Sequence, residues 1–387
     1  MATESTKVYF PNLNSLRFLL AIFVVFFHIH RLIYIHDGET FNAETDHELS
    51  LAELVVSAFF VLSGFLITYL LLKERNDTGH INIKEFYIRR VLRIWPLYYL
   101  ILILGFFVFP YLDTCFNTSY SSGVHNQFGL NLASSIFFLQ PYMIGLNHIP
   151  QTLAPIWSIK VEEFFYLFWP LLLIRAKDHL KLFVYIIIGY ITLKLGISIV
   201  ALIFKPAPLI TQYSILAAMR QIIMNYRISC LAIGGVGAYL VIDKKQNILS
   251  FIFRKDVQWL AYISALLLLL LNVSIPIIDQ EFYSVLFGII IINLGCNPGS
   301  VVNLEYKWIS YLGKAAYGIY MYNAFTRVIC FEFIERIYGH AIMGWQMESL
   351  LFVSGLSLTI LVSVLSYELL EKPFLKLKKR FTVVKTD

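Results

Sequence analysis

Runs of about twenty apolar residues recur along this chain, and nothing constrains its fold more. An α-helix of that length crosses the hydrocarbon core of a bilayer. Backbone in hydrocarbon must satisfy its own hydrogen bonds, which a helix does internally. Ten runs are readable, near residues 13–35, 52–72, 91–111, 156–175, 182–203, 219–241, 257–275, 282–297, 308–331 and 347–370. A shorter one, 130–142, is too brief to cross and reads as a half-helix or an interfacial segment. The 387 residues are 58% hydrophobic and only 14% charged, against about 25% charged in a soluble domain. Mean hydropathy is +0.69. The expected fold is all-α, a polytopic membrane helical bundle of about ten transmembrane helices. The first run carries Arg17 and lacks a small-residue cleavage site, so it should stay as a helix rather than leave as a signal peptide. Residues 1–12 then form an N-terminal segment, 13–374 the integral membrane domain and 375–387 a basic tail. Neither an internal repeat nor a soluble appendage long enough to fold alone is apparent.

The loops fix an orientation. Segment 36–53 has no Lys or Arg but carries Asp37, Glu39, Glu44, Asp46, Glu48 and Glu53, and 112–156 also has no Lys or Arg. By contrast 73–93 carries Lys73, Arg75, Lys84, Arg89, Arg90 and Arg93. Further clusters lie at Arg175/Lys177/Lys181, at Lys244/Lys245/Arg254/Lys255 and from Lys372 to Lys385. They alternate as ten spans require, with Lys205 and Arg336 as single exceptions. The positive-inside rule puts both termini in the cytoplasm. The net charge of +6 thus belongs to loop topology and not to nucleic acid. The cysteines Cys115, Cys230, Cys296 and Cys330 lack ligand spacing, so they read as packing residues and no metal site is expected.

Three polar features interrupt the apolar runs. In the first span Arg17 and His28 are eleven residues apart, three helical turns, so they share a face. Asn14 and Arg31 join that stripe, while His30 falls on the other side and, with Arg31, reads as an interfacial anchor. Such a stripe faces protein or a wet cavity, since charge in hydrocarbon is costly. In the fourth span Ser158, Glu162, Tyr166 and Trp169 share a face at spacings of 4, 4 and 3. Glu162 could meet His28 at similar depth and select its tautomer, which would make a general base. A structural ion pair for Glu162, for example with Arg31, stays open, and Glu163 could simply reach the interface. The third feature is IRRVLRIWP, residues 88–96, in which Arg89, Arg90 and Arg93 cluster at i, i+3 and i+4. It reads either as positive-inside decoration or as a phosphate site, which the bidentate guanidinium suits. Ser63 and Gly64 lie mid-membrane in the second span, where small residues allow close helix approach or passage of a ligand. Gly234, Gly235 and Gly237 read as helix packing. Tyr320 and Asn323, within YGIYMYN, could line a cavity.

Together these residues resemble the acyltransferase-3 family of membrane-bound acyltransferases, bacterial O-acetylases of surface glycans among them. LNSLRFLLAIFVVFFH resembles the family's first helix, with its Arg and catalytic His eleven apart. FFVLSGFLI resembles its SGF motif and FYIRRVLRIWPLYY its RRxxRxxP motif. WSIKVEEFFY, which begins at Trp157, resembles its WSLxVExxFY motif, and SYELLEKPF its ERPF-like ending. The likeness runs from about Asn12 to Phe374. Where the family often has a histidine this chain has Asn323, which throws the weight onto His28. The SGNH esterase-like domain of some members is not seen, so a stand-alone membrane unit is expected.

The resemblance implies an acyl-CoA-dependent O-acyltransferase in the bacterial cytoplasmic membrane. The expected co-substrate is acyl-CoA, acetyl-CoA by family habit. The expected partners are the lipid bilayer and a carbohydrate acceptor, either a surface polysaccharide or a lipid-linked glycan. Arg17, Arg89, Arg90 and Arg93 would hold the donor, and His28 would act as base oriented by Glu162. Ser63, Gly64, Trp157, Ser158, Tyr166, Tyr320 and Asn323 would line the channel. The rival reading is a glycolipid or small-molecule transporter or flippase, which polar stripes in a bundle would also serve.

Overall fold

A computed structural model describes residues 8–36, 47–116, 128–139, 151–203, 215–271, 273–339 and 344–384. Among these, every regular element is helical. In chain order they are α1 Leu13–His36, α2 His47–Thr78, α3 Ile83–Ile103, α4 Phe109–Phe116, α5 Phe128–Ile136, α6 Ile156–Arg175, α7 His179–Ile203 and α8 Ile215–Asn225. Then follow α9 Ile228–Ile242, α10 Gln246–Ile252, α11 Lys255–Leu270, α12 Asp279–Cys296, α13 Lys307–Lys314, α14 Ala316–Tyr338, α15 Gly344–Ser366 and α16 Lys372–Lys378.

Helices occupy all ten of the expected segments, and α5 is the nine-residue helix of the short run. Among the described residues, six stretches are long and apolar enough to cross a membrane: 13–30, 51–78, 83–113, 179–203, 219–242 and 345–381. The others miss that measure for local reasons. Helix α6 carries Lys160, Glu162, Glu163 and Arg175, while α11 has only 16 residues. The expected span 308–331 is broken at Ala315, between α13 and α14. The run 219–241, one of the six, is likewise interrupted at Arg227, which adopts a left-handed backbone (φ 43°) between α8 and α9. The outer faces are apolar. On α7 Tyr185, Ile188, Leu202 and Ile203 are exposed, and on α11 Leu260, Leu266 and Leu270. Water would penalise such surface, whereas acyl chains would not.

Two apolar cores form. The larger joins α2, α3, α6, α9 and α12, and includes Phe60, Phe65, Tyr98, Trp169, Leu231 and Tyr283. The smaller joins α1, α14 and α15 through Ala21, Val25, Ile29, Ile319, Phe331 and Leu351. Close approach is built into the larger one. A Cβ on Gly64 would lie 2.0 Å from the Leu231 carbonyl oxygen, and one on Gly234 would lie 2.0 Å from that of Val61. Helices α2 and α9 therefore touch backbone to backbone. This assigns Gly64 to packing, as it does Gly234, and Gly64 does not line a channel.

Candidate functional site

A cavity of about 1390 Å³, its mouth included, lies where the two cores meet. Its lining on α2 runs from Leu70 to Val56, about 21 Å at 1.5 Å per residue. Helix α1 contributes only Leu13, Asn14 and Arg17, α3 contributes Arg90, Arg93 and Ile94, and α6 contributes Ser158, Ile159, Glu162 and Tyr166. Ala316, Tyr317 and Tyr320 of α14 and Lys314 of α13 complete that side. Val8, Tyr9 and Phe10 close over one end. This strap is anchored by Glu305, whose carboxylate accepts from the Tyr9 hydroxyl and the Asn12 backbone N–H. Phe10 also sets its ring edge-on to Phe65 and Tyr69.

The cavity wall is cationic. Arg17, Arg90, Arg93 and Lys314 line it, against one lining carboxylate among the described residues, Glu162. Arg17 donates to Asn14 Oδ1 at 3.0 Å. The buried Arg90 guanidinium lies 5.6 Å from the ring centres of Phe86 and Tyr166, and its Nε has no partner among the described residues. None of the three arginines reaches a carboxylate within ion-pair distance in the described part of the molecule. Excess charge of one sign in a partly enclosed hollow calls for a ligand of the other sign.

Glu162 is held on both oxygens. Ser63 Oγ donates to Oε1 and Tyr166 OH to Oε2, each at 2.8 Å. Its charged neighbours are Arg93 and Arg90. Nearby, the Ser158 and Tyr320 hydroxyls are hydrogen-bonded at 2.8 Å. The wall thus gathers Arg17, Arg90, Arg93, Ser63, Ser158, Glu162, Tyr166 and Tyr320 of the residues expected from the sequence.

Others are used differently. Arg89 turns away, donating to Glu74 Oε2 at 2.9 Å and to the Phe381 carbonyl at 2.7 Å. Helical spacing put three arginines in one cluster, but Glu74 at the end of α2 claims one of them. Trp157 also leaves the channel. Its ring carries the Arg227 guanidinium at 5.1 Å and meets Phe60 at 6.1 Å. Asn323 is fully buried in α14 and donates to the Tyr320 carbonyl. His28 is not among the lining residues. Its carbonyl accepts from Arg327 Nη1 at 3.2 Å, and it stands about 16 Å along α1 from Arg17. No hydrogen bond joins it to Glu162, whose two partners are Ser63 and Tyr166. Matching depths across two antiparallel helices from sequence presumed that they start level. The electrostatic neighbours of Glu162 instead set it beside the arginines.

Sequence reasoning passed over one fully buried charge pair and one in which a buried arginine reaches a part-exposed carboxylate. Lys194 on α7 donates to both oxygens of Glu281 on α12, at 2.9 and 3.1 Å, and Ser229 adds a third hydrogen bond at 2.7 Å. Arg227 reaches Glu53 at 2.5 Å and Ser57 at 3.1 Å. A lone lysine inside an apolar run, as in ITLKLGI, was the available signal.

A helical bundle with an apolar exterior and a charged internal hollow is a multi-pass integral membrane protein. The chain belongs to the acyltransferase-3 family, whose acyltransferase domain model matches residues 10–368. A Staphylococcus aureus (strain COL) protein carrying a provisional O-acetyltransferase name is 26% identical over 390 residues, covering 95% of this chain and 58% of its own length. The peptidoglycan O-acetyltransferase OatA of Listeria monocytogenes is 27% identical over 202 residues, covering 48% of this chain and 28% of its own. The O-acetyltransferase OatA of S. aureus (strain NCTC 8325) is 24% identical over 396 residues, covering 95% and 57% respectively. The chain thus spans somewhat over half the length of the first of these relatives. No solved structure matches it.

Proposed function

We propose that this chain moves an acyl group, an acetyl group by family habit, from cytoplasmic acyl-CoA to a hydroxyl of an extracytoplasmic carbohydrate. The single observation that carries this reading is the set of three cavity-lining guanidiniums with no carboxylate within ion-pair distance among the described residues. Guanidinium forks suit the phosphates of such a donor, and the names of the relatives point to O-acetyl transfer. Arg90, Arg93 and Arg17 hold the phosphates, and Arg89 is left to its pairing with Glu74. The pantetheine arm runs along α2 towards Phe59 and Tyr320. A polysaccharide such as peptidoglycan supplies the acceptor, with both chain termini in the cytoplasm of a bacterial cell.

His28 acts as the base. The acceptor oxygen attacks the thioester carbonyl carbon and His28 takes the hydroxyl proton. The C–S bond then breaks and the proton passes to the departing thiolate, giving an O-acyl sugar and free CoA. Glu162, held by Ser63 and Tyr166, sets a negative charge beside the cationic wall and has no hydrogen bond to the imidazole.

The test is thiol release from acetyl-CoA by membranes containing the full chain, with and without peptidoglycan oligosaccharides. Acceptor-dependent release is expected, and His28→Ala should abolish it while the protein still accumulates in the membrane. Full turnover by His28→Ala would remove the base from the scheme. No release by the wild type would remove the scheme itself.

A further inference from the structure

We propose that Phe59, backed by Tyr320, is the stop that limits the length of the acyl group this cavity accepts. The inference rests on the donor reading given above and adds a determinant to it. The arginines and the strap occupy one end of the cavity. At the other end the lining is Val56, Phe59, Phe60, Ser158, Ile159 and Tyr320. A donor held by its phosphates therefore points its acyl terminus at this wall.

The wall is rigid. Phe59 meets the Tyr320 ring edge-on at 6.1 Å, and the Tyr320 hydroxyl is fixed by Ser158 at 2.8 Å. Phe60, only 1% exposed, is backed by Trp157. Trp157 in turn lies under Arg227, which Glu53 and Ser57 hold in position. Side chains tied down in this way cannot swing aside at low cost.

Phe59, like Ala316, borders open volume on one side and the second core on the other. It packs against the core of α2, α3 and α6 and also against that of α1, α14 and α15. The second core includes Val25 and Ile29, on the stretch of α1 that bears His28. Removing its ring lengthens the cavity in that direction. On this reading a two-carbon group stops short of the ring and each further methylene meets it. One methylene refused by an apolar pocket costs roughly tenfold or more in specificity.

The experiment uses the purified full chain in phospholipid nanodiscs. Thiol release is followed from acetyl-, butyryl- and hexanoyl-CoA with peptidoglycan oligosaccharide as acceptor. The wild type should favour acetyl over hexanoyl by about tenfold or more. Phe59→Ala should raise the hexanoyl-to-acetyl ratio by a comparable factor. Leu70→Ala, at the opposite end of the same cavity, should leave that ratio unchanged. If Phe59→Ala does not accumulate, Phe59→Leu should shift the ratio the same way by less. A wild type indifferent to chain length, or a Phe59 variant that transfers acetyl with the ratio unmoved, overturns the stop and leaves the donor reading standing. A wild type that turns over none of the three thioesters overturns the donor reading, and the stop with it.

Discussion

Replacing Gly64 by alanine tests how the bundle is held together, whatever it catalyses. The added Cβ falls 2.0 Å from the Leu231 carbonyl oxygen and 2.7 Å from its carbonyl carbon, about 1 Å inside the closest approach real Cβ atoms make. Both neighbours are backbone, so no side chain can rotate out of the way and α2 and α9 must part. Overpacking of this kind costs roughly 1–3 kcal/mol. The gain in helix propensity from glycine to alanine returns only about 0.5–1 kcal/mol, so a net loss remains. Gly234→Ala should behave alike, since its Cβ meets the Val61 oxygen at 2.0 Å. The two together should cost less than their sum, because the first has already separated the helices. The control is Gly196→Ala on α7, where a Cβ meets nothing within 4 Å. That change should stabilise by about 0.5–1 kcal/mol. A thiol-reactive dye that reports exposure of the buried Cys230 and Cys330 on heating in detergent ranks the variants. Gly64→Ala as stable as the wild type, or less harmful than Gly196→Ala, would refute the backbone contact.

Arg90→Ala should weaken acyl-CoA binding about ten- to a hundredfold, the worth of one charge-assisted hydrogen bond or so, with little loss of stability. Arg89→Ala should do the reverse: donor affinity holds, while Glu74, 2% exposed, loses its ion pair and stability falls by about 3–5 kcal/mol. Calorimetry with acetyl-CoA and melting of the same samples separate the two. Lys194→Ala should also cost roughly 3–5 kcal/mol by leaving Glu281 buried and unpaired. Lys194→Met combined with Glu281→Leu should recover most of that in the same melt.

Much of this was legible in the chain. Length and apolarity located the helices, because in lipid the hydrogen-bonding requirement leaves one solution for a single segment. Helical spacing put Ser158, Glu162 and Tyr166 on one face, and all three line the cavity. What periodicity cannot carry is the offset between helices. Arg89 and Arg90 look alike in IRRVLR, yet Glu74, from the preceding helix, claims only the first. The relative depth of Glu162 and His28 depends on tilt and stagger, which packing sets. The break at Arg227 was hidden for a related reason. The left-handed turn is stabilised by Glu53 and Ser57, some 170 residues earlier in the chain.

The cavity coincides with the seam between the two cores, and this limits how the molecule can move. The glycine contact locks α2 and α9 into a slab, since sliding would drive Cα into carbonyl. The α1–α14–α15 group has its own apolar interior, and only part of its surface, Leu20, Val24, Met321 and Phe325 included, packs into the larger core. Any widening that admits a bulky headgroup should therefore be a hinge of that group against the slab. The Glu305 clasp on the N-terminal strap is one fastening that such a hinge would have to undo.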